Sequence, residues 1–213
     1  MAKRRKVGNL LGLAVLSTVI VAPMHPYEIA ATLRERGKED DMAIKIGSLY
    51  TVVRNLQKAG FIEVADTSRA GARPERTVYR ITRAGVAELV DWVRELVGEP
   101  QPEHPRFKAG LSVAAVLGPE ELAALLRHRL TALEEGSAAR RRAAEGYAGQ
   151  VPRLFLLEGE FELAMREAEA SWVRALLGEL ESGVFPGLEM WRANLAELSA
   201  RNTARHEQEE ERS

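Results

Sequence analysis

The sequence predicts a mainly α protein: a winged helix-turn-helix domain with a β-hairpin wing, followed by an α-helical hairpin dimerisation domain. Three observations carry that expectation. Residues 45–63 hold two helical stripes of opposite chemistry, and two short β-prone runs follow them. A proline-rich break at residues 98–105 then precedes two long stretches with apolar residues three and four apart.

The elements read in order as follows. Leu10, Leu11, Leu13, Ala14, Leu16, Ser17 and Ile20 describe a helix that is apolar nearly all round, which suits the centre of a small domain or a position between subunits. Pro23 and Pro26 punctuate its end. A second helix starts at Pro26, turns Ile29, Ala30 and Leu33 inward and stops at Gly37; residues 39–41, Glu-Asp-Asp, read as a solvated loop.

In the third helix Ile46, Leu49, Val53 and Leu56 form one buried face. Ser48, Thr51, Asn55 and Lys58 repeat the same spacing two residues out of step, and Arg54 joins them. At about 100° per residue this second stripe lies opposite the first. Small hydroxyls, an amide and cations suit a helix that lies in the DNA major groove, where Arg and Lys pair with guanine edges and Asn with adenine. An ordinary solvated face has the same polarity, so the order of elements must decide.

Residues 61–66 and 76–81 are β-prone and read as a hairpin, with Arg69, Arg73 and Arg76 on or beside its tip, in reach of phosphates. Thr82 caps a fourth helix that keeps helical spacing to Gly98. Helix, helix, helix, hairpin, helix is the order of a winged helix-turn-helix, which favours DNA binding over a plain solvated face. The implied organisation is residues 1–98 as the DNA-binding domain, 99–105 as linker, 106–204 as a helical dimerisation and effector domain, and 205–213 as a disordered tail.

Beyond the linker, Leu122, Leu126, Leu130 and Leu133 mark a seam on one long helix. Leu154, Leu157, Phe161, Met165, Ala168, Trp172, Leu176 and Leu180 mark a stripe on the next. Such a hairpin has too little interior to bury its apolar face alone, so a second copy is expected, giving a homodimer matched to an inverted-repeat operator.

Charge and composition bound the remaining choices. Of 30 Lys+Arg and 31 Asp+Glu, 16 and 11 precede residue 99, so the first part carries +5 and the rest −6. Zero cysteines exclude disulfides and cysteine chemistry. Lys3, Arg4, Arg5 and Lys6 before an apolar run mimic an export signal, but Pro23 directly follows the only plausible cleavage residue, Ala22, and the run is too short to span a bilayer. A cytoplasmic protein with a basic N-terminal arm and no membrane partner is expected.

His25, His104, His128 and His206 are scattered without ligand spacing, and no nucleophile grouping or phosphate loop stands out. No metal, no cofactor and no enzyme activity are expected. Trp92, Trp172 and Trp191 are candidates for a small-molecule site, with aromatic anchors of the core as the competing reading.

Several segments together resemble the PadR-like winged-helix transcriptional regulators. They are Leu10-Leu11-Gly12-Leu13, Pro23-Met24-His25-Pro26-Tyr27-Glu28-Ile29, Gly47-Ser48-Leu49-Tyr50, Leu56 to Ile62, and Tyr79-Arg80-Ile81-Thr82 with Gly85. The resemblance covers roughly residues 8–97 and implies a homodimeric regulator, often a repressor, released by a small molecule in some members. Tyr50 follows its pattern and is expected to touch phosphate. Pro26 departs from it, since the family usually has Gly there, and proline lacks the amide donor for a phosphate contact.

The expected DNA-binding set is therefore Lys45, Ser48, Tyr50, Thr51, Arg54, Asn55, Lys58, Arg69, Arg73 and Arg76, with Arg54 and Asn55 reading bases. The competing function is a protein-interaction module without DNA binding, which should instead expose aliphatic or aromatic anchors on the third helix.

Overall fold

The computed structural model describes residues 5–38, 42, 45–68, 76–147 and 149–210. Two compact units divide the chain, Met1–Pro102 and Glu103–Ser213.

The first unit is built around α1 (Leu10–Val19), whose N-terminus is capped by the Asn9 side chain accepting from the Leu11 amide at 2.8 Å. Leu11, Val15, Leu16 and Val19 are buried on different sides because α2 (Pro26–Glu35), α3 (Leu49–Lys58), α4 (Arg83–Gly98) and the wing all pack against this helix. That explains its all-round apolarity. A single turn of 3-10 helix, Ile46–Ser48, leads into α3.

The wing pairs β1 (Ile62–Ser68) with β2 (Arg76–Ile81) antiparallel, with a bulge at Ala65 between the Val64–Tyr79 and Asp66–Val78 pairs. Met24 and Tyr79 exchange both backbone hydrogen bonds at 3.0 Å, which ties the residues before α2 to the base of the wing.

Thr82 joins wing to α4. Its hydroxyl donates to the Gly60 carbonyl at 2.7 Å and accepts from the Gly85 amide at 3.0 Å, and its own amide donates to the Phe61 carbonyl at 3.0 Å. The first turn of α4 lies so close to this carbonyl that a Cβ on Gly85 would stand 2.0 Å from the Phe61 oxygen.

The second unit contains α5 (Arg106–Ser112), α6 (Pro119–Tyr147), α7 (Leu157–Ser182) and α8 (Leu188–Glu210). The pairs Arg127–Glu181, Glu134–Arg174 and Arg141–Glu167 show α6 and α7 to be antiparallel, since one partner's number rises as the other's falls. Leu126 and Leu133 of α6 pack on Val173, Leu177 and Leu180 of α7.

One sequence expectation is corrected in part. Of the expected stripe, Leu180 is buried and Leu176 packs against the hairpin core, whereas Leu154, Leu157, Phe161, Met165 and Trp172 stay exposed. Ala170, Val173 and Leu177, a second apolar line on α7, join Leu180 in filling the hairpin. Among the described residues nothing on α6 beyond Ser137, or on α7 before Ala170, is buried. Helix α8 runs on through residues 205–210, where good helix formers stand without Gly or Pro, and residues 211–213 of the expected tail lie outside the described residues.

Candidate nucleic-acid interface

Helix α3 separates its two faces cleanly. Leu49, Val52, Val53 and Leu56 are buried against α1 and α2, and Val52 adds to the stripe expected from the sequence. Tyr50, Thr51, Arg54, Asn55 and Lys58 are all exposed on the opposite side. Each buried aliphatic side chain contributes about 1.5–3 kcal/mol, so rotation of this polar face inward is strongly disfavoured.

Lys45 and Ser48 sit just before the helix proper. Lys45 is exposed ahead of the 3-10 turn, and the half-buried Ser48 turns its hydroxyl back to donate to the Lys45 carbonyl at 2.9 Å. Of the wing arginines, Arg69 and Arg73 lie outside the described residues, and for Arg76 the backbone alone is described, at the start of β2.

A cleft of about 270 Å³ brings Tyr50, Val53 and Arg54 of α3 together with His25, Pro26, Thr77 and Tyr79. His25 opens α2: its Nδ1 accepts from the Tyr27 amide at 3.1 Å, while Glu28 accepts from the His25 amide at 2.8 Å. Pro26 stands at the first position of α2, where an amide proton has no partner within a helix in any case. Thr77 and Tyr79 were not singled out as site residues in the sequence; alternation along β2 was the available signal, because it turns both toward the helices.

Residues 15–91 match the sequence model of the Transcriptional regulator PadR-like family. This stretch belongs to the PadR-like family. It spans α1 to most of α4, so the winged-helix fold and the family coincide on the same elements. No curated protein matches the chain.

Among solved structures, Bacillus subtilis PadR in complex with operator DNA has 21% identity and a TM-score of 0.65, over 80% of this chain and 99% of that one. Bacillus subtilis PadR in complex with p-coumaric acid has 20% identity and a TM-score of 0.66, over 81% and 99%. The Vibrio cholerae virulence activator AphA has 19% identity and a TM-score of 0.57, over 81% and 98%. At these identities the likeness establishes a shared PadR fold that extends past the matched segment into the C-terminal helices.

The basic N-terminal arm departs from expectation. Lys3 and Arg4 lie outside the described residues, whereas Arg5 is not available to phosphate: its side chain is 3% exposed and paired with Glu88, Asp91 and Glu95 of α4. Burial lowers the pKa of this guanidinium, but its hydrogen bonds to Glu88 and Glu95 outweigh that and raise it.

The three tryptophans occupy different environments. Trp92 is buried in the core of the PadR-like unit, with the Arg5 guanidinium 5.2 Å from its ring centroid. Trp191 donates through Nε1 to the Leu117 carbonyl at 2.9 Å, with its ring tilted against Phe185. Trp172 is 49% exposed and meets Phe107 edge to face at 6.0 Å. A groove of about 620 Å³ beside it is lined by Phe107, Leu111, Arg129 and Met165. Among the described residues no group of His, Asp and Glu is placed to hold a metal, and no helix is long and apolar enough to cross a membrane.

Proposed function

We propose that the chain is a sequence-specific DNA-binding regulator, acting in the cytoplasm as a homodimer on an inverted-repeat operator, with repression as the outcome of binding. The observation that carries this reading is the exposed face of α3: Thr51, Arg54, Asn55 and Lys58 are polar or cationic, no carboxylate or aliphatic side chain stands among them, and Tyr50 is the one aromatic beside them. Arg54 and Asn55 read base edges, Tyr50 and Lys58 contact phosphate, Lys45, Ser48 and Thr51 flank them, and Arg69, Arg73 and Arg76 extend the phosphate contacts from the wing. The fold shared with a PadR bound to operator DNA supports the same reading.

Dimerisation is supported by exposed apolar side chains: Phe161, 68% exposed, and Met165 on α7, with Leu154 and Phe155 in the turn before it. Exposed apolar side chains gathered on one segment mark interaction surfaces, and a symmetric dimer covers them. The groove beside Trp172 is the candidate effector site for a small aromatic compound, with Arg129 stacked 3.7 Å from the Phe107 centroid at its wall.

The test is a band shift with the DNA upstream of the protein's own gene at two salt concentrations. Binding that weakens steeply with salt is expected. Absent or salt-insensitive binding would assign the α3 face to a protein partner instead.

A further inference from the structure

We infer that Thr77 and Tyr79 of β2, with Tyr50 of α3 across the cleft, seat one operator phosphodiester through uncharged hydroxyl donors, a contact that adds affinity without adding to the salt dependence. It rests on the proposed entry of α3 into the major groove.

The seat is the cleft of about 270 Å³ between α3 and the base of the wing. Two of its lining residues, Val53 and Pro26, are buried and apolar. The others include three hydroxyls, from Tyr50, Thr77 and Tyr79, and the Arg54 guanidinium, and no carboxylate lines it. Among the described residues none of these four side chains has a hydrogen bond or an ion pair of its own. Unpaired donors gathered around one cleft fit an anion with several acceptor oxygens, and the space falls below the roughly 300–1,000 Å³ of small-molecule pockets.

The amides at the start of α2 are not free for that anion. Pro26 has no amide proton, and the Tyr27 amide donates to His25 Nδ1 at 3.1 Å. Glu28 completes the capping box by accepting from the His25 amide at 2.8 Å. A helix start sealed by its own carboxylate leaves a neighbouring phosphate to side chains.

Both walls are fixed before DNA arrives. Tyr50, Val53 and Arg54 share one face of α3 through i, i+3 and i+4 spacing. Thr77 and Tyr79 stand two apart on β2 and so share one face of the wing, and the paired Met24–Tyr79 backbone bonds at 3.0 Å anchor that strand. With Arg54 assigned to base edges, the hydroxyls remain for the phosphate. A hydroxyl donates to a phosphate oxygen without releasing a counterion, whereas each Lys or Arg contact releases one.

The test measures operator affinity by anisotropy over a salt series for the wild-type chain, Thr77→Val and Tyr79→Phe. Both changes conserve side-chain shape, and Tyr79→Phe keeps the ring that packs on the core. Each variant is expected to bind roughly tenfold more weakly at every salt concentration, with the slope of log K against log salt unchanged. Methylphosphonate placed at one phosphate at a time then locates the seat. At a single position per half-site the Tyr79→Phe penalty is expected to shrink to about twofold or less.

Variants that bind like the wild type, a slope that changes with them, or a Tyr79→Phe penalty that persists on every methylphosphonate operator overturns the seat and leaves the recognition reading standing. Inorganic phosphate that binds the cleft saturably, yet leaves operator affinity unaltered against chloride at equal ionic strength, makes it a free-anion site and overturns the assignment too. A wild-type chain that binds no DNA overturns both readings.

Discussion

Replacing Gly85 by alanine sets two effects of opposite sign against each other. Helix propensity alone favours alanine inside a helix by about 1 kcal/mol. The packing says otherwise, because the new Cβ would lie 2.0 Å from the Phe61 oxygen, 2.8 Å from Ile81 Cγ1 and 2.9 Å from the Phe61 carbonyl carbon. Two of these neighbours are backbone, so the start of α4 must retreat by roughly 1 Å to reach contact distance.

That movement lengthens the Thr82 bonds to Gly60 and Phe61 together. At about 1 kcal/mol each, plus about 1–3 kcal/mol of overpacking strain, the cost is about 3–5 kcal/mol against a propensity gain of about 1. The net loss of about 2–4 kcal/mol corresponds to a Tm lower by roughly 10–25 °C for a unit of this size. Thermal unfolding followed by Trp92 fluorescence, with the other two tryptophans replaced by phenylalanine, reads it out. An unchanged or raised Tm would refute the close-approach argument.

Asn55→Ala is expected to relax base preference at one operator position by about 1–3 kcal/mol, measured by anisotropy with single-base operator variants; retained preference removes Asn55 from base reading. Lys58→Ala should weaken all sequences alike and lower the salt slope by about one. Phe161→Glu should shift the chain toward monomer in sedimentation velocity, and an undisturbed dimer would take the α7 stripe out of the interface. Arg192 holds the Glu120 carboxyl below the ordinary range through its hydrogen bonds. A carboxyl depressed in the folded state stabilises fully above its unfolded value, near 4.5, and loses that contribution as pH falls through the folded value. Arg192→Met should return Glu120 toward its ordinary titration, seen in carboxyl carbon NMR shifts.

The helices of the first unit were legible because burial repeats with their period. Helix α3 shows this best: one stripe had to face α1, and that fixed the direction of Arg54 and Asn55. Arg5 was not legible as a buried residue, since within Lys3 to Lys6 it looks like its neighbours and its partners lie 83–90 residues downstream. The spacing of Glu88, Asp91 and Glu95 around Trp92 was the available signal. On α7 two apolar lines were both present, and periodicity cannot say which meets its own chain; Val173 and Leu177 do, while Phe161 and Met165 do not. The tryptophans are alike as letters and differ only in what the fold places around them.

The paired bonds between Met24 and Tyr79 bear on the cost of recognition. They weld the turn before α2 to the second strand, so the start of the helix-turn-helix and the base of the wing cannot move apart without breaking a sheet contact. A surface held in this way enters a complex with its backbone freedom already surrendered during folding, and little ordering entropy there opposes association. The amide protons of these two residues should accordingly exchange with solvent only when the whole unit opens, reporting its global unfolding rather than a local fluctuation.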